Sequence, residues 1–302
     1  MKNTKPKVRL WSVLTGLTAI LTVAAIVGNI IANQYATTLN VALNASTYKI
    51  IHGENTGDTE YFKKGFASDE EREAYEAELC ATVEAEGAAL LKNENNALPL
   101  ASGAKVSLFG HGSVDLMYGG TGSGSVDTSK APNLKQALEA QGITINQTLW
   151  DLYSSDSMMS KYSRQTPASI SDTLEANTQY AVNEAPWSAL SSAESSFAEY
   201  GDAAIVVLSR SGGEGADLPS GENGTSDSWI SGQGGDGNYL ALSAEEIELL
   251  QNLKALKDNG TFKKIVVLIN SSNAIELDFL DPEICGEDYG IDAAMWIGDV
   301  GQ

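Results

Sequence analysis

The run Ala203–Leu208, AAIVVL, decides the fold, because six apolar residues follow one another without a polar interruption. A strand with no polar face is buried on both sides, which is typical of parallel sheets covered by helices. Lys264–Asn270 (KIVVLIN) and Ala293–Ile297 (AAMWI) have the same character, and Lys105–Gly110 (KVSLFG) is a shorter example. We therefore expect these four segments to be strands of one sheet.

Helical patterns separate the strands along the chain. Ser243 and Glu246 form a capping box in front of a helix whose apolar residues recur every three or four positions. Residues 132–140 form a shorter helical segment followed by a strand at 144–146, and we expect residues 147–200 to be helical in pieces. Alternating strands and helices predict an α/β fold, a mostly parallel sheet flanked by helices, in which ligands bind at the carboxyl ends of the strands.

Another helix is expected before the first strand, over residues 68–93. Ser68 and Glu71 form its capping box. Cys80 falls on its apolar side, so we expect a buried thiol there, and the sequence does not decide whether it pairs with the distant Cys285. The apolar stripe of this helix consists of Tyr75, Leu79, Val83 and Leu90.

The N-terminal part differs from the rest in its charge. Residues 1–9 contain a basic cluster, residues 10–32 are apolar, and no charged residue occurs between Arg9 and Lys49. About 20 apolar residues suffice for a helix to span a membrane. Since basic flanks stay in the cytoplasm, residues 1–9 are expected to be cytoplasmic and the main domain extracellular.

We thus expect a single-pass anchor at 10–32 in the cell membrane and a stalk at 33–67 with one short strand at 47–51. Two alternatives remain for the apolar run. A cleaved signal peptide has a shorter apolar core and a small-residue cleavage site. A buried core helix has a polar face, which this run lacks.

Composition excludes some classes of function. The formal net charge of −21 repels phosphate backbones, so we expect no nucleic-acid partner. The two cysteines and two histidines show no metal-ligand spacing, so no metal and no cofactor are predicted.

Two glycine-rich loops follow predicted strands. The first contains Gly110-His-Gly-Ser-Val-Asp115 and the glycine cluster 119–124. A Gly-x-Gly after a strand is typical of dinucleotide sites, but the sixth position is Asp115, which lacks the expected Gly or Ala and would repel a pyrophosphate. A tight turn and a backbone platform for an uncharged polyol are the remaining interpretations.

The second loop is Ser209-Arg-Ser-Gly-Gly-Glu214-Gly-Ala-Asp217. Glu214 stands between glycines at the carboxyl end of a buried strand. A carboxyl group in such a place can act as a general acid when burial raises its pKa. On spacing alone, a solvated carboxylate in an acidic protein is the simpler interpretation.

Several segments together resemble the α/β-sandwich domain of glycoside hydrolase family 3, which includes β-glucosidases. The resemblance covers roughly residues 75–302 in the order that the family has. The matching segments are Glu86–Leu100 (EGAALLKNENNALPL), Ser107–Ser125 (SLFGHGSVDLMYGGTGSGS), Ala204–Asp217 (AIVVLSRSGGEGAD), Lys264–Ile275 (KIVVLINSSNAI) and Met295–Gln302 (MWIGDVGQ).

The resemblance implies roles for three residues. Glu214 would be the general acid/base of a retaining glycosidase, Ser123 would line the sugar site, and Asp217 would order the loop. The nucleophilic Asp of the family lies on a separate (β/α)8 barrel of about 250 residues, for which no stretch of this chain has room. An anchor followed directly by the sandwich is similar to the family's swapped-order subgroup, with the barrel second.

The resemblance also implies a domain over residues 68–302 that is incomplete at its C-terminal end, because the family continues with a helix and a further strand. Alone, such a chain is expected to be inactive on β-glucosides or short oligosaccharides. A non-catalytic carbohydrate-binding or scaffold module at the cell surface is the alternative, and a nucleotide-binding receptor domain is a third. Trp229 and Tyr239 could stack on a sugar ring or pack against a barrel.

Overall fold

The computed structural model describes residues 5–43, 45, 64–120, 122–125, 127–165, 181–212 and 239–301. Contacts divide the chain into two compact units, residues 1–65 and residues 66–302. The strand expected at 47–51 lies outside the described residues.

The first unit contains helix α1, Lys5–Gln34, and the short helix α2, Ala36–Ala42. Within α1, Leu10–Gln34 is long and apolar enough to cross a membrane, with a mean hydropathy of 2.1, a criterion that a signal sequence also meets. The first part of the stretch expected to be a stalk, residues 33–67, contains α2. The N–H of Leu39 donates to the carbonyl of Tyr35 at 2.9 Å, so helical hydrogen bonding resumes just after the first helix, where extension costs less than nucleation.

The described residues of the second unit form a six-stranded sheet in the order β1-β6-β5-β4-β2-β3. β1 pairs antiparallel with β6, and all other neighbours pair in parallel, so the sheet is mixed with its antiparallel strand at an edge. The strands are β1 Ala89–Asn93, β2 Lys105–Phe109, β3 Thr144–Ile145, β4 Ala203–Ser209, β5 Ile265–Asn270 and β6 Ala293–Trp296.

Helices flank this sheet, as expected for an α/β sandwich. The expectation of short helical pieces between β3 and β4 is confirmed where the chain is described. The helices are α3 Asp69–Gly87, α4 Leu134–Ala140, α5 Gln147–Tyr153, α6 Asp156–Met159, α7 Ala244–Asp258 and α8 Pro282–Cys285, with 3₁₀ helices at Trp187–Leu190 and Glu194–Tyr200.

The core lies on both faces of the sheet, and β4 contributes to both. All seven residues of β4 are buried. Ala204, Val206 and Leu208 belong to the larger apolar cluster, which includes residues of α5 and α7. Ala203 and Ile205 belong to a second cluster, against which residues of α4 pack. The two-sided burial predicted from the apolar run is confirmed.

The helix expected over residues 68–93 ends earlier. α3 stops at Gly87, a poor helix former, and residues 89–93 form β1 instead. Ala, Leu and Lys favour helices, but pairing with the free edge of β6 overrides that preference. No residue of α3 is buried, and Cys80 is half-buried rather than buried. Cys80 and Cys285 are both free thiols.

Candidate functional site

The carboxyl ends of β2, β4, β5 and β6 meet at one edge of the sheet, and the loops that follow them form the candidate site. Glu214, Asp217 and Trp229 lie outside the described residues. Gly212 is the last described residue before them. Ser123 is exposed, in a 3₁₀ turn at Gly122–Gly124.

Asn270, the last residue of β5, joins the loops at this edge by hydrogen bonds. Its Oδ1 accepts from the backbone N–H of Met117 at 2.6 Å and from Ser209 Oγ at 3.3 Å. Its Nδ2 donates to the carbonyl oxygens of Met117 and Gly298 at 3.0 and 2.7 Å. Because Asn270 is buried, these bonds act where the dielectric is low, and they fix the loops after β2 and β6 to the ends of β4 and β5.

The Gly-x-Gly sequence brings the loop after β2 against the end of β4. Gly110 has a φ of +82°, and a Cβ there would lie 2.7 Å from the carbonyl oxygen of Val207. A Cβ on Gly112 would lie 2.5 Å from Ser209 Oγ. The backbone of the neighbouring strand therefore requires glycine at position 110, and Ser209 and Val207 leave little room for a side chain at position 112. A tight turn against β4 explains this motif without a bound nucleotide.

Two buried ionisable side chains, His111 and Glu184, lie under the same loop. His111 Nδ1 is 3.1 Å from Glu184 Oε2, which also accepts from the backbone N–H of His111 at 2.8 Å. Tyr153 Oη accepts from the N–H of Gly110 at 3.2 Å. Burial, with the Glu184 carboxylate nearby, raises the pKa of Tyr153 well above its ordinary value. These side chains hold the glycine-rich loop from the interior.

Buried side-chain atoms that have no hydrogen-bond partner within the described ranges are concentrated at this edge. Each belongs to a loop that follows a parallel strand. An unpaired buried polar group costs roughly 1–3 kcal/mol, so interiors ordinarily avoid it. This concentration of hydrogen-bonding capacity makes the edge the candidate site. The atoms are His111 Nε2, Ser113 Oγ, Ser211 Oγ, Asn273 Nδ2 and Asp299 Oδ1.

Charged groups also reach this edge. Arg164 Nη2 lies 3.0 Å from Asp115 Oδ2, and Asp299 Oδ2 accepts from Ser272 Oγ at 2.9 Å. Burial raises the pKa of Asp299 above its ordinary value, although its hydrogen bonds with Ser272 and the charge of Arg164 act in the opposite direction. In the part of the chain that is described, no cluster of three or more His, Cys, Asp or Glu side chains could hold a metal ion.

Tyr239 has neither of the roles considered for it from the sequence. Its side chain is 2% exposed, so it cannot stack on a bound sugar or pack against another domain. Its Oη accepts from the N–H of Ser211 at 2.8 Å and donates to the Ser211 carbonyl at 3.0 Å. Tyr239 therefore fastens the chain that leaves β4.

Sequence patterns do not single out the residues that organise this edge. Asn270 gives a weak signal, since a polar residue ends an otherwise apolar strand. Arg210 stands inside the second glycine-rich loop and is fully buried, yet nothing local indicates its partner. His111 and Glu184 are 73 residues apart, so no spacing rule connects them.

Comparison with known proteins gives a family match. Residues 88–302 match the family model described as glycosyl hydrolase family 3 C-terminal domain. Beta-glucosidase A of Butyrivibrio fibrisolvens is 34% identical over 146 residues, which is 46% of this chain and 15% of that protein. Beta-glucosidase of Ruminococcus albus is 28% identical over 221 residues, which is 73% of this chain and 20% of that protein. The matched region thus spans a fifth or less of these curated relatives.

Solved structures agree with the fold. A beta-glucosidase from Paenibacillus barengoltzii superposes with a TM-score of 0.53 and 26% identity, over 74% of this chain and 21% of that chain. Beta-glucosidase 3B from Thermotoga neapolitana, solved in complex with glucose, gives a TM-score of 0.53 at 22% identity, over 77% and 28% of the two chains. At 22% identity, the similarity to the Thermotoga neapolitana enzyme is evidence for the fold alone.

Replacing Asp299 by asparagine is expected to raise the thermal unfolding midpoint (Tm) at pH 7. Because burial raises the pKa of Asp299, the folded chain holds this proton more readily than the unfolded chain does. The stability contributed by protonation is complete below the ordinary value of 3.8 and is lost as pH rises through the folded pKa. The gain in Asp299→Asn should therefore shrink toward pH 4, as measured by calorimetry in detergent.

Glu139→Gln, at an exposed surface carboxylate, controls for the loss of one negative charge from an acidic chain. An Asp299→Asn gain that is equal at pH 7 and pH 4, or no larger than that of Glu139→Gln, would contradict the role of burial.

Proposed function

Because this chain belongs to glycosyl hydrolase family 3, through its C-terminal domain, we propose that it carries the general acid/base of a retaining glycoside hydrolase. Glu214 is the proposed acid/base, and the substrates are β-glucosides or short oligosaccharides. The nucleophile comes from a (β/α)8 barrel domain, without which this chain is inactive.

The observation that carries the proposal is that the family match includes the strand and loop Ala204–Asp217. β4 ends at Ser209, and Gly212 lies against the side chain of Asn273 at the carboxyl edge. Glu214 follows two residues later, and two residues extend the chain by at most about 7 Å. Its carboxyl group is therefore proposed to act at the edge where the unpaired buried polar atoms lie.

In the proposed mechanism, Glu214 donates its proton to the glycosidic oxygen while an Asp of the barrel attacks the anomeric carbon. The resulting Glu214 carboxylate then removes a proton from the water that hydrolyses the glycosyl-enzyme. The two carboxyl groups must be about 5–5.5 Å apart for this sequence of steps. Ser123, which is exposed, is proposed to contact a sugar hydroxyl, and Asp217 to order the loop.

We further propose that α1 anchors the chain in the cell membrane, with residues 1–9 in the cytoplasm and the main domain outside. The apolar segment Leu10–Gln34 has the required length, and the basic residues before it favour this orientation.

A hybrid enzyme tests the role of Glu214. The 221-residue region of this chain that matches the Ruminococcus albus beta-glucosidase replaces its counterpart in that protein, and hydrolysis of an aryl β-glucoside is measured. The hybrid is expected to be active, and Glu214→Gln should lower kcat by roughly 100-fold to 10,000-fold, since general acid–base catalysis contributes that much. The purified 302-residue chain should show no hydrolysis.

Glu222→Gln, in the same segment, is the matched control and should retain activity. Equal activity of Glu214→Gln and the unsubstituted hybrid would exclude the acid/base role. A folded but inactive hybrid would favour the non-catalytic carbohydrate-binding or scaffold module. Glu214-dependent hydrolysis by the 302-residue chain would exclude the need for a barrel.

The anchor is tested by expressing the chain with its native N-terminus. An uncleaved anchor predicts that the chain stays with membranes during alkaline carbonate extraction and keeps residues 10–32. External protease should digest the main domain in intact spheroplasts. A soluble chain with a new N-terminus beyond residue 32 would identify a cleaved signal peptide instead.

A further inference from the structure

Arg210, the residue after β4, is fully buried and uses every N–H of its guanidinium group. An arginine side chain has five such donors, and each has an acceptor here. Nε donates to Tyr239 O at 2.7 Å. Nη1 donates to Ser209 O at 2.9 Å and Glu246 Oε1 at 2.8 Å, and Nη2 to Ala241 O at 2.6 Å and Glu246 Oε2 at 2.8 Å.

These acceptors lie on three separate parts of the chain. Ser209 ends β4, Tyr239 and Ala241 begin the return to the core, and Glu246 lies in the first turn of α7. Arg210 therefore joins the two ends of the segment 213–238 to each other and to a helix. Glu246 is itself fixed, because its Oε2 also accepts from the N–H of Ser243 in the capping box at 2.8 Å.

Two more side chains hold the same short stretch. Tyr239 Oη binds both the N–H and the carbonyl of Ser211, and the Arg210 guanidinium lies 5.7 Å from the centre of its ring. The amide of Asn273 packs on Gly212 so closely that a Cβ there would clash. Residues 210–212, which directly precede the loop with Glu214, are thus held by Tyr239, Asn273 and the pair Arg210–Glu246.

A buried ion pair is weak support for stability, because desolvation offsets the attraction between the charges. Its distinctive property is geometry. The planar guanidinium fork binds a carboxylate through two parallel bonds, which a lysine ammonium cannot reproduce. Joining the ends of a long segment also removes much of its conformational freedom.

We infer that Arg210 is a positioning residue that, through Glu246 and Tyr239, sets where the chain leaves β4 toward Glu214. The inference rests on the proposed function for the role of Glu214. The conclusion that Arg210 joins the end of β4 to Tyr239 and Glu246 rests only on its hydrogen bonds.

Hydrogen exchange and carboxyl labelling of the full chain in detergent test this inference. The key variant is Arg210→Met/Glu246→Leu, which removes both charges together and so leaves neither one buried without its partner. Exchange of peptides spanning 213–238 should rise at least about tenfold, while exchange in β4 and α7 stays near that of the unsubstituted chain. Arg210→Lys should show the same local rise.

The second readout is the pH profile of carbodiimide labelling of Glu214, measured by mass spectrometry. A positioning role predicts that the pH midpoint for Glu214 shifts in Arg210→Met/Glu246→Leu, while the exposed Glu199 is unchanged. Lys254→Met, which removes an exposed ion pair with Asp258 on α7, is the matched control and should change neither readout.

The inference is overturned if the double variant exchanges and labels like the unsubstituted chain, because Arg210 would then support stability alone. It is also overturned if exchange rises equally in all core peptides, or if Arg210→Lys behaves like the unsubstituted chain. Neither readout requires catalysis. An inactive hybrid with a confirmed Arg210 effect would refute only the glycosidase proposal, and the reverse result would refute only the positioning role.

Discussion

Strand β4 has seven consecutive buried residues, with β2 on one side and β5 on the other. Its side chains enter one apolar cluster and then the other, so both layers of helices depend on it. A strand buried in this way cannot shift its register without moving apolar groups to the wrong face. Its carboxyl end is therefore a fixed point of the domain, and the loops after the neighbouring parallel strands are held relative to it.

Polar interactions at the carboxyl end of β4 hold the loops that form the candidate site. Asn270 binds the end of β4 and the loops after β2 and β6, while Gly110 and Gly112 let the loop after β2 approach β4 closely. Arg210 and Tyr239 fasten the chain just beyond the strand. In the proposed enzyme, this framework would present Glu214 to a barrel that supplies the nucleophile. When the acid/base and the nucleophile lie on different domains, the carboxyl edge of the sheet must be rigid. General acid catalysis requires the acid to lie within hydrogen-bond distance of the leaving oxygen.

The sequence predicts the elements that are determined by residues close together in the chain. The apolar runs predict β4, β5 and β6, and the Ser243 capping box predicts α7, because burial and helix capping depend on nearby residues. The helix predicted over residues 68–93 extends too far, since residues 89–93 form a strand that exists only by pairing with β6. The sequence does not reveal the role of Tyr239 either, because its hydrogen-bond partner Ser211 is distant in the chain. The links His111–Glu184 and Arg210–Glu246 join distant positions, so no local pattern reveals them. Glu214, by contrast, is identified as a candidate acid/base by the loop motif and the family resemblance, and its role is a proposal.

The most direct measurement for that role is azide trapping in the hybrid enzyme with Glu214→Ala. A 2,4-dinitrophenyl β-glucoside needs no protonation to lose its leaving group, so the glycosyl-enzyme should form and then wait for a base. Azide needs no base; it attacks the anomeric carbon and the enzyme carboxylate leaves. An acid/base role predicts that azide accelerates turnover and that β-glucosyl azide accumulates, whereas Glu222→Ala yields glucose. Glucose as the only product of Glu214→Ala, with no acceleration by azide, would contradict it.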